Sequence, residues 1–283
     1  MPFDALRAEL WRFSRNTQVW FWALLVIPIG TAIVGVFFRQ FLYGQLQNAQ
    51  ADLPARMNQI ATAPLNIGAV VADQTSTLAG INLLALFLIG AATIAASDYR
   101  WETWRLIRPR DSRTNLVLGK ALAIAVIAVI PLLLFLLCEL VGQIISATLD
   151  NRSITLGYDG TMAMASLAMF ATSWLRAVQV GLLALVAAIA TRSLFGGFVI
   201  AIAFGLGTFM IQRMLLGLGW QSEEWRVLLA FPAAAYETLQ TFLAHGPVTG
   251  QTAFRAAIGL LSWIIVPVGL SVWLFQRQDL SKE

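Results

Sequence analysis

Apolar residues come along this chain in long blocks separated by short polar stretches, without the strict alternation that marks half-buried strands. Six blocks reach or approach the roughly 20 residues a helix needs to cross a hydrocarbon core: residues 19–38, 77–96, 116–145, 167–190, 194–216 and 254–275. The third contains Pro131 and is long enough to tilt, kink or run beyond the bilayer. The fourth and fifth are separated only by Thr191, Arg192 and Ser193, which predicts a tight helical hairpin.

The polar stretches have characters of their own. Within residues 1–16, Phe3, Leu6, Leu10 and Phe13 fall at helical spacing while Asp4, Arg7, Arg12 and Arg15 take other faces. That predicts an amphipathic helix at the membrane surface rather than a signal peptide. Residues 40–74 carry Asn, Gln, Pro54 and Pro64 and read as a loop outside the lipid; residues 150–160 read as a polar turn. Residues 217–252 mix charges with apolar pieces too short to span; Trp225 to Tyr236 is too apolar for a free loop yet broken by Pro232, and the plain reading is a helix lying flat at the interface.

Composition agrees with the blocks. Hydrophobic residues make up 58% and charged residues 12%, against about 25% charged in an ordinary soluble domain. The expectation is an all-α, polytopic membrane protein of about six transmembrane helices, forming a single domain over residues 1–283. The net charge of +4 is spread along the loops rather than gathered into one module, so no nucleic-acid partner is expected. Placing both termini in the cytoplasm puts about twice as many Lys and Arg inside as outside, which the positive-inside rule favours. Cys138 is the one cysteine and His245 the one histidine, so neither a disulfide framework, a metal site nor a His-based nucleophile is expected. An intramembrane enzyme would need convergent polar groups inside the spans, and beyond Glu139 and Arg176 the spans offer little.

Three sets of residues are candidates for function. In the segment 97–113, Trp101, Trp104 and Ile107 interleave with Arg100, Arg105, Arg108 and Arg110. A helix there would present aromatics and cations together, to inner headgroups or to a groove on a cytosolic partner; the plain reading is a positive-inside anchor. Glu139 and Arg176 fall inside predicted spans, roughly 28 Å and 24 Å from the cytoplasmic helix ends at 1.5 Å per residue. They can form an ion pair between the third and fourth spans, snorkel outward, or touch a substrate. Gly197, Ala201 and Gly205 form a small-residue stripe that admits another helix, from the same chain or a second copy.

Asp98, Thr103, Leu106, Ile107, Pro109, Ser112, Arg113, Gly119 and Lys120, in that order, resemble a motif of the permease subunits of ATP-binding cassette (ABC) exporters of the ABC-2 type. Glu102 stands where the family usually has Gly, and one extra residue separates Pro109 from the Ser-Arg pair. The overall plan is similar too, over nearly the whole chain. The resemblance implies that residues 97–113 form a cytoplasmic coupling helix docking on a separate ATPase, through Asp98, Arg100, Trp101, Thr103, Trp104, Arg105, Ile107, Arg108 and Pro109. It further implies that two permease copies pair as a dimer with the substrate path between them, the Gly197–Ala201–Gly205 stripe near that interface, and re-entrant helices in 217–252. A bacterial inner membrane is the implied location. The chain has no phosphate-binding loop of the form G-x-x-x-x-G-K-[ST], so ATP and Mg belong to the partner ATPase and no cofactor is expected on this chain. The alternative is a membrane scaffold or sensor whose basic loop binds lipid or a regulatory partner.

Overall fold

The computed structural model describes residues 2–17, 21, 27–48, 63–100 and 112–278. Helices α1 (Pro2–Arg15), α2 (Ile27–Asn48), α3 (Ile67–Thr77), α4 (Ile81–Arg100), α5 (Arg113–Leu149), α6 (Gly160–Thr191), α7 (Leu194–Gly217), α8 (Trp225–Ala230), α9 (Pro232–Leu243) and α10 (Gly250–Arg277) form nearly all of it. The remaining regular structure is a parallel pairing of β1 (Leu65–Asn66) with β2 (Ile154–Thr155). The protein is thus all-α in class, and among the described residues four helices, α5, α6, α7 and α10, are long and apolar enough to cross a membrane.

Short polar caps set the ends of these helices. Ser112, Asp159, Ser193 and Thr249 each precede a long helix and accept a hydrogen bond from a backbone N–H in its first turn. Between α6 and α7, Arg192 adopts the left-handed conformation (φ 55°) that ends one helix, and Ser193 at once begins the next. The three-residue separation read from the sequence is therefore a complete helix stop and start.

Helix α6 is the hub, packing against α3, α4, α5, α7, α9 and α10. Its buried face, with Leu182, Leu185 and Ala188, meets Phe87 and Ala91 of α4, Ile124 and Ala128 of α5, and Phe275 of α10 in the main core. Helix α5 has 37 residues, about 55 Å of helix, and continues through Pro131, whose ring removes one backbone donor. Helix α7 lies at the rim: only 11% of its most apolar window is buried.

Several boundaries differ from the sequence expectation. Helix α2 does not stop at residue 38 but runs to Asn48, so Arg39 sits within a helix instead of opening a loop. The block 77–96 starts in a break: α3 ends at Thr77, and α4 begins at Ile81 after a turn through Gly80. The part of the 40–74 stretch from residue 63 on is not free loop. Leu65 N–H donates to Ser153, Gly68 N–H to Leu156, and the Arg152 guanidinium to the Ala63 carbonyl, fastening this strand to the 150–160 turn. Helix α1 turns part of its expected apolar face inward, Phe13 lying in the core and Leu10 packing against it. Ala5, Glu9 and Phe13 are buried against α5, while Phe3 and Trp11 remain outside, 73% and 62% exposed.

Residues 217–252 contain the two short helices α8 and α9, both packed on α10. Their contact is intimate: a Cβ on Gly259 of α10 would fall 2.3 Å from the Leu228 carbonyl oxygen, and Trp263 Nε1 donates to Leu229 O at 2.7 Å. Polar side chains bind α9 to its other neighbours. Gln240 donates to Met169 O and Thr172 Oγ1 of α6, and Tyr236 shares a hydrogen bond with Ser173 of α6 and reaches Ser76 O of α3.

Candidate functional site

Where α4 ends and α5 begins, four charged side chains meet that the sequence places in three separate segments. Lys120 lies in the second turn of α5 and is 1% exposed, so its ammonium has lost water and needs acceptors. It finds three, matching its three N–H donors: Asp98 Oδ2 at 2.8 Å, Glu9 Oε1 at 3.2 Å and Ile94 O at 2.8 Å. Arg12 completes the set from α1, donating through one nitrogen to Asp98 Oδ1 at 2.9 Å and to Glu9 Oε1 at 3.3 Å. Two carboxylates and two cations leave no net charge, which makes the burial tolerable.

Helix α1 reaches this position because position 119 is glycine. A Cβ there would lie 2.6 Å from Ala5 Cβ and 3.0 Å from the Ala5 carbonyl carbon, so any larger residue would push α1 away. The resulting close crossing carries Glu9 and Arg12, one and two turns past Ala5, over Lys120. The Gly119-Lys120 pair is thus a helix-packing and ion-pairing device.

A second knot holds the other flank. Arg113, the first residue of α5, donates to the carbonyls of Phe275 (3.0 Å), Gln276 (2.8 Å) and Gln278 (2.9 Å), satisfying the last acceptors of α10 with a cation suited to a helix C-terminus. Tyr99 donates to Gln278 Oε1 at 2.8 Å, and the Gln278 amide donates to Ile189 O near the end of α6. The neighbours Asp98 and Tyr99 therefore enter different knots, one with α1 and α5, the other with α10 and α6. The described ends of α4 and α5, on either side of residues 101–111, are therefore both fixed.

Of the residues expected to couple to a partner, Asp98 is thus a buried structural anchor, 2% exposed. Trp101, Thr103, Trp104, Arg105, Ile107, Arg108 and Pro109, and the Arg100 side chain, lie outside the described residues. Glu9 and Arg12 join the site without a local sequence signal beyond their place in an amphipathic helix.

The expected pair between Glu139 and Arg176 is corrected. Glu139 Oε2 accepts from Arg39 at 3.1 Å, and the neighbouring Gln40 donates to Asp150 at 3.0 Å. Because α2 continues past residue 38 alongside α5, it delivers its own cation to Glu139. Arg176 instead donates to Gln179 on its own helix.

The small-residue stripe divides. A Cβ on Gly197 would lie 2.9 Å from Ala188 Cβ and 3.2 Å from Ala184 O, and Ala201 is buried, so this end of the stripe seats α7 on α6 of the same chain. Among the described residues, nothing lies within 4 Å of the Gly205 Cβ position. Compared with known proteins, the chain matches no family model and no curated sequence.

Proposed function

We propose that this chain is the transmembrane subunit of an ATP-driven exporter of the ABC-2 type, crossing a bacterial inner membrane about six times with both termini cytoplasmic. In this reading α2 and α4 add to the four long apolar helices. Two copies form the substrate path between them, and a separate ATPase holding ATP and Mg docks on segment 101–111.

The observation that carries the reading is the convergence of the loosely spaced motif residues on the roots of one segment. Asp98, Ser112, Arg113, Gly119 and Lys120 serve as ion pair, helix cap, helix tie, close crossing and ion pair. Such fixed roots suit a lever. A push on segment 101–111 would reach α1 through Glu9 and Arg12, α10 through Arg113, and the core through α4 and α5, moving them as a unit. The motor can shift the conformational equilibrium only by binding one permease conformation better than the other.

The test is co-purification in detergent of the chain with the cassette ATPase encoded nearest to it, for wild type and for the double variant Trp104→Ala, Arg108→Ala. Stable binding and stimulated ATP hydrolysis, both lost in a folded variant, support the proposal. If the wild type binds no cassette ATPase, the scaffold or sensor reading replaces it.

A further inference from the structure

Helix α1 has a second face that the charged knot does not use. Phe3, Arg7, Trp11 and Arg15 recur every fourth residue and so form one stripe along the helix. Each stands two residues, about 200° of helix turn, from the buried series Ala5, Glu9 and Phe13, so the stripe lies on the opposite side. All four are exposed, and the Arg15 guanidinium stands over the Trp11 ring at 5.4 Å. Asp4, the other exposed charge of α1, is in the first turn, where a helix N-terminus favours an anion. A stripe that alternates aromatic and cation suits the boundary between acyl chains and headgroups.

The seat of α1 on α5 decides what that stripe meets. The two helices cross closely at Gly119, about 9 Å from the start of α5 at 1.5 Å per residue. Gly119, Leu122, Val126, Ile130, Leu133 and Leu137 follow at steps of three and four residues, so they share one face of α5. From Leu122 on, every one of them is exposed. In a bilayer that apolar face meets hydrocarbon, and Arg113, Thr114 and Asn115 before the crossing mark its polar end. Helix α1 therefore crosses the lipid-facing side of α5 at the level where hydrocarbon gives way to headgroups. With its inner face closed on α5, it turns the stripe outward at that level.

We propose that this stripe binds the anionic headgroups of phospholipids in the leaflet at the start of α5, with Arg7 and Arg15 at the headgroups and Phe3 and Trp11 among the upper acyl chains. The negative charge of such a surface complements the two cations, which a zwitterionic surface does not. Because Glu9 and Arg12 fix the other face, the same helix ties the charged knot to the membrane surface. The proposal needs only that the chain lies in a bilayer, so it stands or falls separately from the exporter reading.

The test places the full-length protein in nanodiscs of phosphatidylglycerol and phosphatidylcholine at equal mole fraction, with bromine on the acyl chains of one lipid or the other. Quenching of Trp11 is read as the difference between wild type and Trp11→Phe, each normalised to its unbrominated disc. Both lipids should quench Trp11, and phosphatidylglycerol should be preferred by about fivefold for each arginine, the contribution of one basic residue at an anionic surface. Arg7→Gln should lower the preference about fivefold, Arg7→Gln with Arg15→Gln should remove it, and Arg7→Lys should keep most of it. Arg277→Gln, in the last turn of α10 and off the stripe, should change it by less than about twofold. Quenching without preference in the wild type, an unchanged preference in the folded double variant, or an equal loss in Arg277→Gln would overturn the proposal. A Trp11 that neither lipid quenches would also overturn it, and would assign the stripe to water or to a soluble partner.

Discussion

Lys120 and Asp98 meet at 2.8 Å across the α5–α4 junction, with the Lys120 side chain 1% and the Asp98 side chain 3% exposed. Neither could remain charged there alone. Glu9 and Arg12 of α1 make the pair tolerable, so an N-terminal helix that reads as a surface float is built into the charge balance of the bundle.

Replacing Lys120 tests that balance directly. Lys120→Met leaves Asp98 and Glu9 facing a single, half-buried Arg12, and should destabilise the protein by about 3–5 kcal/mol, the usual cost of breaking a buried pair from one side. Adding Asp98→Asn and Glu9→Gln should recover much of the loss. Thermal unfolding in detergent, followed by the fluorescence of the ten tryptophans, reads both effects; an unchanged melt in Lys120→Met would refute the ionic account.

The seat of α1 depends on Gly119. Gly119→Leu should lift the helix, because the Ala5 backbone occupies the space the new side chain needs. Limited trypsin digestion should then cut at Arg12 several times faster than in wild type, as its guanidinium leaves Asp98 and Glu9. Equal cutting rates would mean that α1 is held elsewhere.

A double-mutant cycle distinguishes the two possible partners of Glu139. Arg39→Gln and Glu139→Gln should couple by at least about 0.5 kcal/mol, whereas Arg176→Gln and Glu139→Gln should add within about that margin, as separate sites do. The exchanged pair Arg39→Glu with Glu139→Arg should recover stability lost in either single variant. Strong coupling of Glu139 to Arg176 would contradict the observed pairing.

The start of α6 should respond to acid. The Asp159 carboxyl accepts from Met162 N–H and the Thr161 hydroxyl, and these bonds hold its pKa below the ordinary aspartate value. A group depressed in the folded state contributes stability above its unfolded pKa and loses it as pH falls through the folded one. Protection of the Met162 amide from hydrogen exchange, corrected for intrinsic rate, should therefore hold at neutral pH and fall below about pH 4. Asp159→Asn should keep a cap without that acid transition, since an amide oxygen also accepts.

Residue order alone fixes the helical class and the positions of the long apolar helices. Long apolar blocks mark α5, α6, α7 and α10, and Ser193 after Arg192 marks the stop between two of them, because hydropathy and capping depend on residues within a turn or two of one another. Tertiary structure alone decided which charges pair. Glu139 and Arg39 are 100 residues apart, and Arg12 and Asp98 are 86 apart. Several cations could serve each carboxylate by type and depth, and the choice depends on which helix lies alongside and which face it turns. The same holds for the small-residue stripe, where Gly197 and Ala201 meet α6 and Gly205 meets none of the described residues, and for the β1–β2 pairing, whose two-residue strands are too short to leave a pattern. Local order is encoded in neighbouring residues; the charged knot exists only once α1, α4 and α5 have come together.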